Sequence, residues 1–175
     1  MNSTKHNTLA AAVSTKRIGI VVFNDEELIY FAVKTLKSPR TSYSVKRQIS
    51  LIVREFINEY KPDFLVIKTL GKQQMKSKKQ LLAVRQVKSS AEAFGIPWTE
   101  ISLEQIKPLL SAHRKPNKTN AFRTLSEIYP ELKRFVESQN LSQAEYYNSL
   151  LSAATVGFYF QCRRQMSEKE NPTVS

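Results

Sequence analysis

Residues 9–36, LAAAVSTKRIGIVVFNDEELIYFAVKTL, decide how the fold begins. Three apolar runs lie within this stretch, at residues 9–13, 18–23 and 28–36, and the second run is rich in β-branched residues. Asn24 and Asp25, which are typical turn residues, separate the second run from the third. The stretch therefore predicts three successive strands joined by short turns.

The next segment predicts a helix and then a buried strand. From Ser44 onward, apolar residues recur at three- and four-residue spacing, which gives one apolar stripe, until Pro62 ends the pattern. Residues 64–67 then form a continuous apolar run of strand length, as expected for a strand that is covered on both faces of a sheet.

The second half of the chain alternates helix and strand before it becomes helical. We predict a helix over residues 78–94, a strand over 96–101 in which Trp98 is buried, and a short helix that ends near 110. Ser102 and Gln105 have the spacing of a capping box at the start of that short helix. A further helix is expected from about residue 117.

The last predicted helix starts at Ser142, where Glu145 completes a second capping box, and runs to about residue 165. Residues 1–7 and 167–175 are expected to be disordered tails around one domain over residues 8–166. The pattern as a whole predicts an α/β fold: a five-stranded mixed sheet, with three antiparallel strands followed by parallel strands, and helices on both faces.

Composition excludes several classes of protein. The 175 residues are 41% hydrophobic and 24% charged, which are ordinary globular values. No apolar run approaches the roughly 20 residues that a bilayer span needs, so we expect an intracellular, cytoplasmic protein with no membrane partner. Cys162 is the single cysteine, which rules out an internal disulfide or a site of several thiolates.

The charge predicts a polyanionic partner. Lys and Arg number 27 against 15 Asp and Glu, which gives a formal net charge of +12. No acidic residue lies between Asp63 and Glu92, although seven basic residues do. A solvated helix face is the alternative interpretation of this one-signed block.

Two sequence segments resemble the RuvC branch of the ribonuclease-H-like nucleases. They are residues 12–19, AVSTKRIG, and residues 62–68, PDFLVIK. In that family the first strand ends in an Asp, and an Ile-Gly opens the second strand. The fourth strand follows a Pro-Asp and ends with a Glu, and the last helix carries a further acid. The resemblance implies a ribonuclease-H-like fold.

The acids that the resemblance calls for are replaced. Ala12 stands at the first position, Lys68 at the second, and Ser152 at the third, with Asn148 as the shifted alternative for the third. Two-metal phosphodiester cleavage needs carboxylate oxygens around Mg²⁺ ions that lie about 4 Å apart. We therefore predict that no catalytic residue, metal site or cofactor is present, and Mg²⁺ enters only if relocated ligands make the chain an active endonuclease.

The candidate nucleic-acid-binding residues are all basic side chains. Lys68 is a candidate for a fixed charge against a backbone phosphate, and its alternative interpretation is a lysine whose head simply reaches water. His113, Arg114 and Lys115, together with Lys118 and Arg123, form a second predicted basic patch. The full set of predicted binding residues is Lys16, Arg17, Lys68, Lys72, Lys76, Lys78, Lys79, Arg85, Lys88, Arg114, Lys115 and Lys118.

The function predicted from these residues is binding of branched or double-stranded DNA by a RuvC-like domain without a nuclease centre. Such a protein would have an accessory or scaffolding role in recombination, replication or repair. Two alternatives stay open: an active crossover-junction endodeoxyribonuclease with displaced ligands, and a basic structural subunit that binds RNA or protein. A homodimer or a protein partner is compatible with the apolar last helix.

Overall fold

The structure is a computed structural model that describes residues 5–37, 41–72, 77–110, 115, 117–137 and 141–170. Five strands and six α-helices are present in these ranges. The strands are β1 (Asn7–Val13), β2 (Arg17–Asn24), β3 (Glu27–Thr35), β4 (Phe64–Lys68) and β5 (Trp98–Ile101). The helices are α1 (Ser42–Tyr60), α2 (Lys78–Ala93), α3 (Leu103–Leu110), α4 (Lys118–Ile128), α5 (Lys133–Val136) and α6 (Leu141–Glu170).

The five strands form one mixed sheet in the order β3-β2-β1-β4-β5. The strands β1, β2 and β3 pair antiparallel, whereas β4 pairs parallel with β1 and β5 pairs parallel with β4. Asp25 takes a left-handed backbone conformation, with φ of 50°, in the tight turn between β2 and β3. The predicted five-stranded mixed sheet is therefore confirmed.

Helices cover both faces of this sheet, as predicted. Alternate residues of β1 point to opposite faces, so that Leu9 and Ala11 belong to one core and Ala10 and Ala12 to the other. The first core is closed by α1 and α2, and the second by α3, α4 and α6. The strand β4, which lies between β1 and β5, is buried on both faces, as its continuous apolar run predicted.

The helix α6 lies unusually close to the sheet because β2 carries a glycine beneath it. A Cβ placed on Gly19 would lie 2.3 Å from the carbonyl carbon of Ser149 and 2.4 Å from the amide nitrogen of Leu150. Gly19 pairs with Ala12 on β1, which is a second small residue at the same level of the sheet. These small side chains bring the backbone of α6 down onto the ends of β1 and β2.

Side-chain caps fix where three helices begin. Thr41 accepts a hydrogen bond from the backbone amide of Ser44 at the start of α1, and Ser77 accepts one from Gln80 at the start of α2. Asn117 accepts one from the amide of Asn120 at 2.8 Å, which sets Lys118 as the first residue of α4. The predicted start of this helix near residue 117 is confirmed.

The structure corrects three details of the sequence-based picture. The helix α6 begins at Leu141, so Ser142 lies inside it rather than at its cap, and it continues to Glu170 rather than ending near residue 165. The strand β1 begins at Asn7, within the predicted N-terminal tail. Trp98, predicted to be buried, is 36% exposed on the edge strand β5. The tail predictions for residues 1–4 and 171–175 lie outside the described residues.

Candidate nucleic-acid interface

A polar cleft of about 350 Å³ opens at the edge of the sheet where β1 and β4 end. Because these two strands are parallel neighbours, their carboxyl ends meet at one edge. The turn after β1, the first residue of α4 and one face of α6 complete the walls. The lining residues are Ala12, Val13, Ser14, Thr15, Lys16, Arg17, Lys68, Gln80, Lys118, Glu145, Asn148, Ser149 and Ser152.

The turn between β1 and β2 is held by Ser14. Its Oγ accepts a hydrogen bond from the amide of Arg17 and donates one to the carbonyl of Arg17, both at 3.1 Å. The backbone amide of Ser14 also donates to that carbonyl at 2.8 Å. The Arg17 guanidinium then lies 4.7 Å from the ring centre of Tyr146 on α6, which orients its charge along the cleft wall. The neighbouring Lys16 is exposed.

Two lysines from different parts of the chain meet at the back of the cleft. Lys68 ends β4, and burial lowers its pKa, with repulsion from Lys107 lowering it further. Lys118 begins α4, and burial, then repulsion from Lys68 and from Lys107, lowers the pKa of Lys118 to about 8. Lys107 on α3 has a carboxylate partner, Glu104, at 2.6 Å. The cleft is therefore a concentration of partly desolvated positive charge.

One polar face of α6 forms the opposite wall. Glu145, Asn148, Ser149 and Ser152 recur at three- and four-residue spacing, so they project from the same side of the helix. Ser152 is 2% exposed, and the buried Oγ of Ser149 has no hydrogen-bond partner among the described residues. The interpretation of Glu145 as a capping residue was wrong, because α6 already begins at Leu141. Glu145 lines the cleft instead.

Solved structures share this architecture across almost the whole chain. The RuvC of Thermus thermophilus superposes with a TM-score of 0.72 at 17% identity, over 92% of this chain and 96% of that one. The fold is RuvC-like. The same protein in complex with a Holliday junction substrate gives 0.71 at 17% identity, over 92% and 96%. The yeast mitochondrial Holliday junction resolvase gives 0.61 at 10% identity, over 93% and 82%.

A viral resolvase extends this set. The Fowlpox virus resolvase, solved with its substrate Holliday junction DNA, gives a TM-score of 0.54 at 11% identity, over 90% of this chain and 98% of that one. No protein-family model matches the sequence, and no curated protein matches it significantly. At these identities the likeness concerns the fold. None of the described helices is long and apolar enough to cross a membrane.

The described residues that line this cleft do not fit a pair of Mg²⁺ ions. Glu145 is the one carboxylate that lines it, and two lysine ammonium groups stand where a divalent cation would need anionic oxygens. Asp25 and Asp63 bind backbone amides at the amino end of β1, about 20 Å away along a strand of seven residues. Among the described residues, no group of three or more His, Cys, Asp or Glu side chains could hold a metal ion.

The predicted binding residues divide between the cleft and other surfaces. Lys16, Arg17, Lys68 and Lys118 line the cleft, and so do Ala12, Ser152 and Asn148, which were predicted from the sequence to be positions of replaced acids. Lys72, Lys78, Lys79, Arg85 and Lys115 are exposed outside it. Lys88 pairs with Glu100 at 2.9 Å and lies 4.8 Å from the Trp98 ring centre. Lys76, His113 and Arg114 lie outside the described residues.

Sequence reasoning missed two members of the site and separated two others. Gln80 lines the cleft from α2 and Lys107 acts on both cleft lysines, yet neither belongs to a recognisable motif. Lys118 was assigned to the second basic patch and not to a site with Lys68, because a separation of 50 positions between the two lysines gives no sign of contact. The spacing of Glu145, Asn148 and Ser152 was the signal that could have revealed the α6 wall.

Proposed function

We propose that this chain binds branched or double-stranded DNA in the cleft at the ends of β1 and β4, without metal-dependent hydrolysis of the strand. The observation that supports this most is the composition of the cleft wall. Four cationic side chains, Lys16, Arg17, Lys68 and Lys118, face a single carboxylate, Glu145. Phosphate groups of the DNA backbone would compensate this excess positive charge. Such contacts do not distinguish one base sequence from another.

The desolvation of the lysines favours a phosphate ligand over a merely solvated surface. Burial and then repulsion from Lys107 lower the pKa of Lys68, and burial and then repulsion from Lys68 and Lys107 lower the pKa of Lys118, so the ammonium forms are less stable there than in water. A phosphate placed between them removes part of that repulsion. The known complexes of RuvC and of the Fowlpox virus resolvase with Holliday junctions suggest a branched substrate as the first probe.

The binding test compares one charge reversal in the cleft with one outside it. Lys68→Glu is expected to weaken binding of a labelled four-way junction at least roughly tenfold and to reduce the salt slope by about 1, as for the loss of one phosphate contact. Lys5→Glu is the matched control, since Lys5 is exposed at the amino end of β1, the far edge of the sheet. Fluorescence anisotropy at several salt concentrations measures both quantities.

The same experiment separates the alternatives. Equal effects of Lys68→Glu and Lys5→Glu would reject the cleft as the binding site. Tighter binding of RNA than of junction or duplex DNA would favour a structural RNA-binding subunit. Cutting of the junction after addition of Mg²⁺ or Mn²⁺ would favour an active endodeoxyribonuclease. We expect no metal-dependent cutting, and an accessory or scaffolding role in recombination, replication or repair.

A further inference from the structure

Lys118 combines three features that set it apart from the other cleft lysines. It is the first residue of α4, where the side chain of Asn117 caps the helix. Its Nζ lies 5.4 Å from the ring centre of Phe122, one turn further along the same helix, so its stem rests on an apolar surface. It also lines the 350 Å³ cleft, so the amine is accessible to a ligand there.

Among the described residues, the cationic groups around this amine disfavour its positive charge, whereas the Phe122 ring and the Glu145 carboxylate favour it. Lys68 from β4 and Lys107 from α3 repel it, and Lys16 and Arg17 line the same cleft from the β1–β2 turn. The amino end of α4 adds the positive end of a helix dipole. Glu145 on α6 is the one carboxylate in the cleft wall. Burial and the two nearby lysines lower the pKa of Lys118 to about 8.

A lysine amine that is neutral near physiological pH is a nucleophile toward carbonyl carbon. Intact DNA offers it no aldehyde, because each C1′ is bonded to a base. An abasic site does offer one, since its deoxyribose opens to a C1′ aldehyde. At an abasic sugar, in addition, no base is present to occupy the cleft of a bound protein.

We propose that Lys118 is the nucleophile of a metal-independent lyase that cleaves DNA at abasic sites, with Glu145 as the proton acceptor. This activity rests on the proposed DNA binding, because the cleft must hold the strand before the amine can reach the sugar. In this arrangement Lys68 contacts a flanking phosphate, and Lys118 reacts with the aldehyde of the abasic sugar.

The reaction is balanced without a metal or an oxidant. The neutral Nζ of Lys118 adds to C1′, and the resulting carbinolamine takes up a proton from solvent and loses water to give a protonated imine. Glu145 accepts the proton from C2′, the electron pair forms a new C–C double bond, and the C3′–O bond breaks. The downstream strand leaves with its 5′-phosphate. Water then hydrolyses the imine and releases the amine of Lys118.

The environment of Lys118 raises the reactive fraction of the amine substantially. At pH 7 a lysine with a pKa of about 8 is roughly 10% neutral, whereas one with the ordinary value of about 10.5 is roughly 0.03% neutral. This corresponds to an advantage of about 300-fold over a lysine with the ordinary pKa.

Borohydride trapping tests this proposal directly. The protein is incubated in EDTA with a duplex that carries one abasic site, and sodium borohydride reduces the imine to a stable covalent adduct. We expect a trapped protein–DNA complex, and peptide mass spectrometry should place the adduct on Lys118. Lys118→Arg keeps the positive charge and removes the nucleophile, so trapping, measured at saturating DNA, should fall at least roughly 30-fold. Lys133→Arg serves as the matched control and should trap like the unaltered protein.

The outcomes distinguish the two proposals. If anisotropy shows DNA binding but no adduct is trapped, or if the adduct maps to another lysine, the lyase is rejected and the DNA-binding function stands. Equal trapping by Lys118→Arg and Lys133→Arg would also reject it. If no form of DNA binds at moderate salt, the proposed function itself fails.

Discussion

Replacing Lys118 by Met should make the fold more stable at neutral pH, because the folded protein holds this lysine where its charge is unfavourable. A pKa lowered from 10.5 to about 8 corresponds to at most roughly 3 kcal/mol. Solvent screening of a half-buried group reduces this to about 1–2 kcal/mol. Methionine keeps an apolar stem beside Phe122 and carries no charge, so the gain should appear as a higher free energy of unfolding.

The pH dependence gives this prediction its sign. Below pH 8 the lysine is charged in both states, and the folded state bears the full cost. Between pH 8 and 10.5 the unfolded chain keeps a proton that the folded chain releases, so the stability of the unaltered protein rises with pH. The advantage of Lys118→Met should therefore be about 1–2 kcal/mol at pH 7 and should approach zero near pH 10.5.

Urea denaturation followed by far-ultraviolet circular dichroism, at pH values from 7 to 10 and with a reductant, measures this difference. Burial raises the pKa of Tyr129 to about 12 and also raises the pKa of the Cys162 thiol. Both effects destabilise the fold as the pH rises, and both are common to the two proteins, so they cancel in the comparison. A variant that is less stable than the parent at pH 7, or an advantage that does not change with pH, would refute the desolvated-lysine argument.

Two further predictions test the packing of the fold. Gly19→Ala should destabilise the fold by about 3 kcal/mol or more in urea denaturation, because its Cβ would meet the backbone of α6 at 2.3 Å; Gly95→Ala, with open space but a left-handed backbone, should cost only about 1 kcal/mol, and equal losses would contradict the close approach. Tyr129→Phe should cost about 1 kcal/mol, because the Tyr129 hydroxyl donates a hydrogen bond of 2.8 Å to the carbonyl of Glu26; an unchanged urea midpoint would show that this bond contributes nothing.

The strand and helix pattern could be predicted from the sequence because each element is locally consistent. The apolar run of β4, the turn at Asp25 and the cap at Asn117 each express one local rule, and the structure follows all three. Trp98 was misplaced because an edge strand of four residues has no alternating pattern to show which side faces water. The start of α6 was shifted because Ser142 and Glu145 fit a capping box whether or not the helix begins earlier.

The candidate site was only half predictable for a different reason. Lys16, Arg17 and Lys68 adjoin the strands that the sequence identified, so their arrival at one sheet edge follows from the topology. Lys118, Lys107 and Glu145 arrive there through the packing of α3, α4 and α6, which no spacing within the chain encodes. The repulsion of Lys118 by Lys68 and Lys107 is a property of the assembled fold alone.

The tight seating of α6 over Gly19 limits how this cleft could be redesigned. Ala12 and Ser152 are 1% and 2% exposed, so the two positions beneath and along the helix have almost no spare volume. Carboxylate side chains at these two positions would push α6 away from the sheet and would bury negative charge out of contact with water. A carboxylate at either position therefore requires a rebuilt interface between helix and sheet, and a point substitution alone would not suffice.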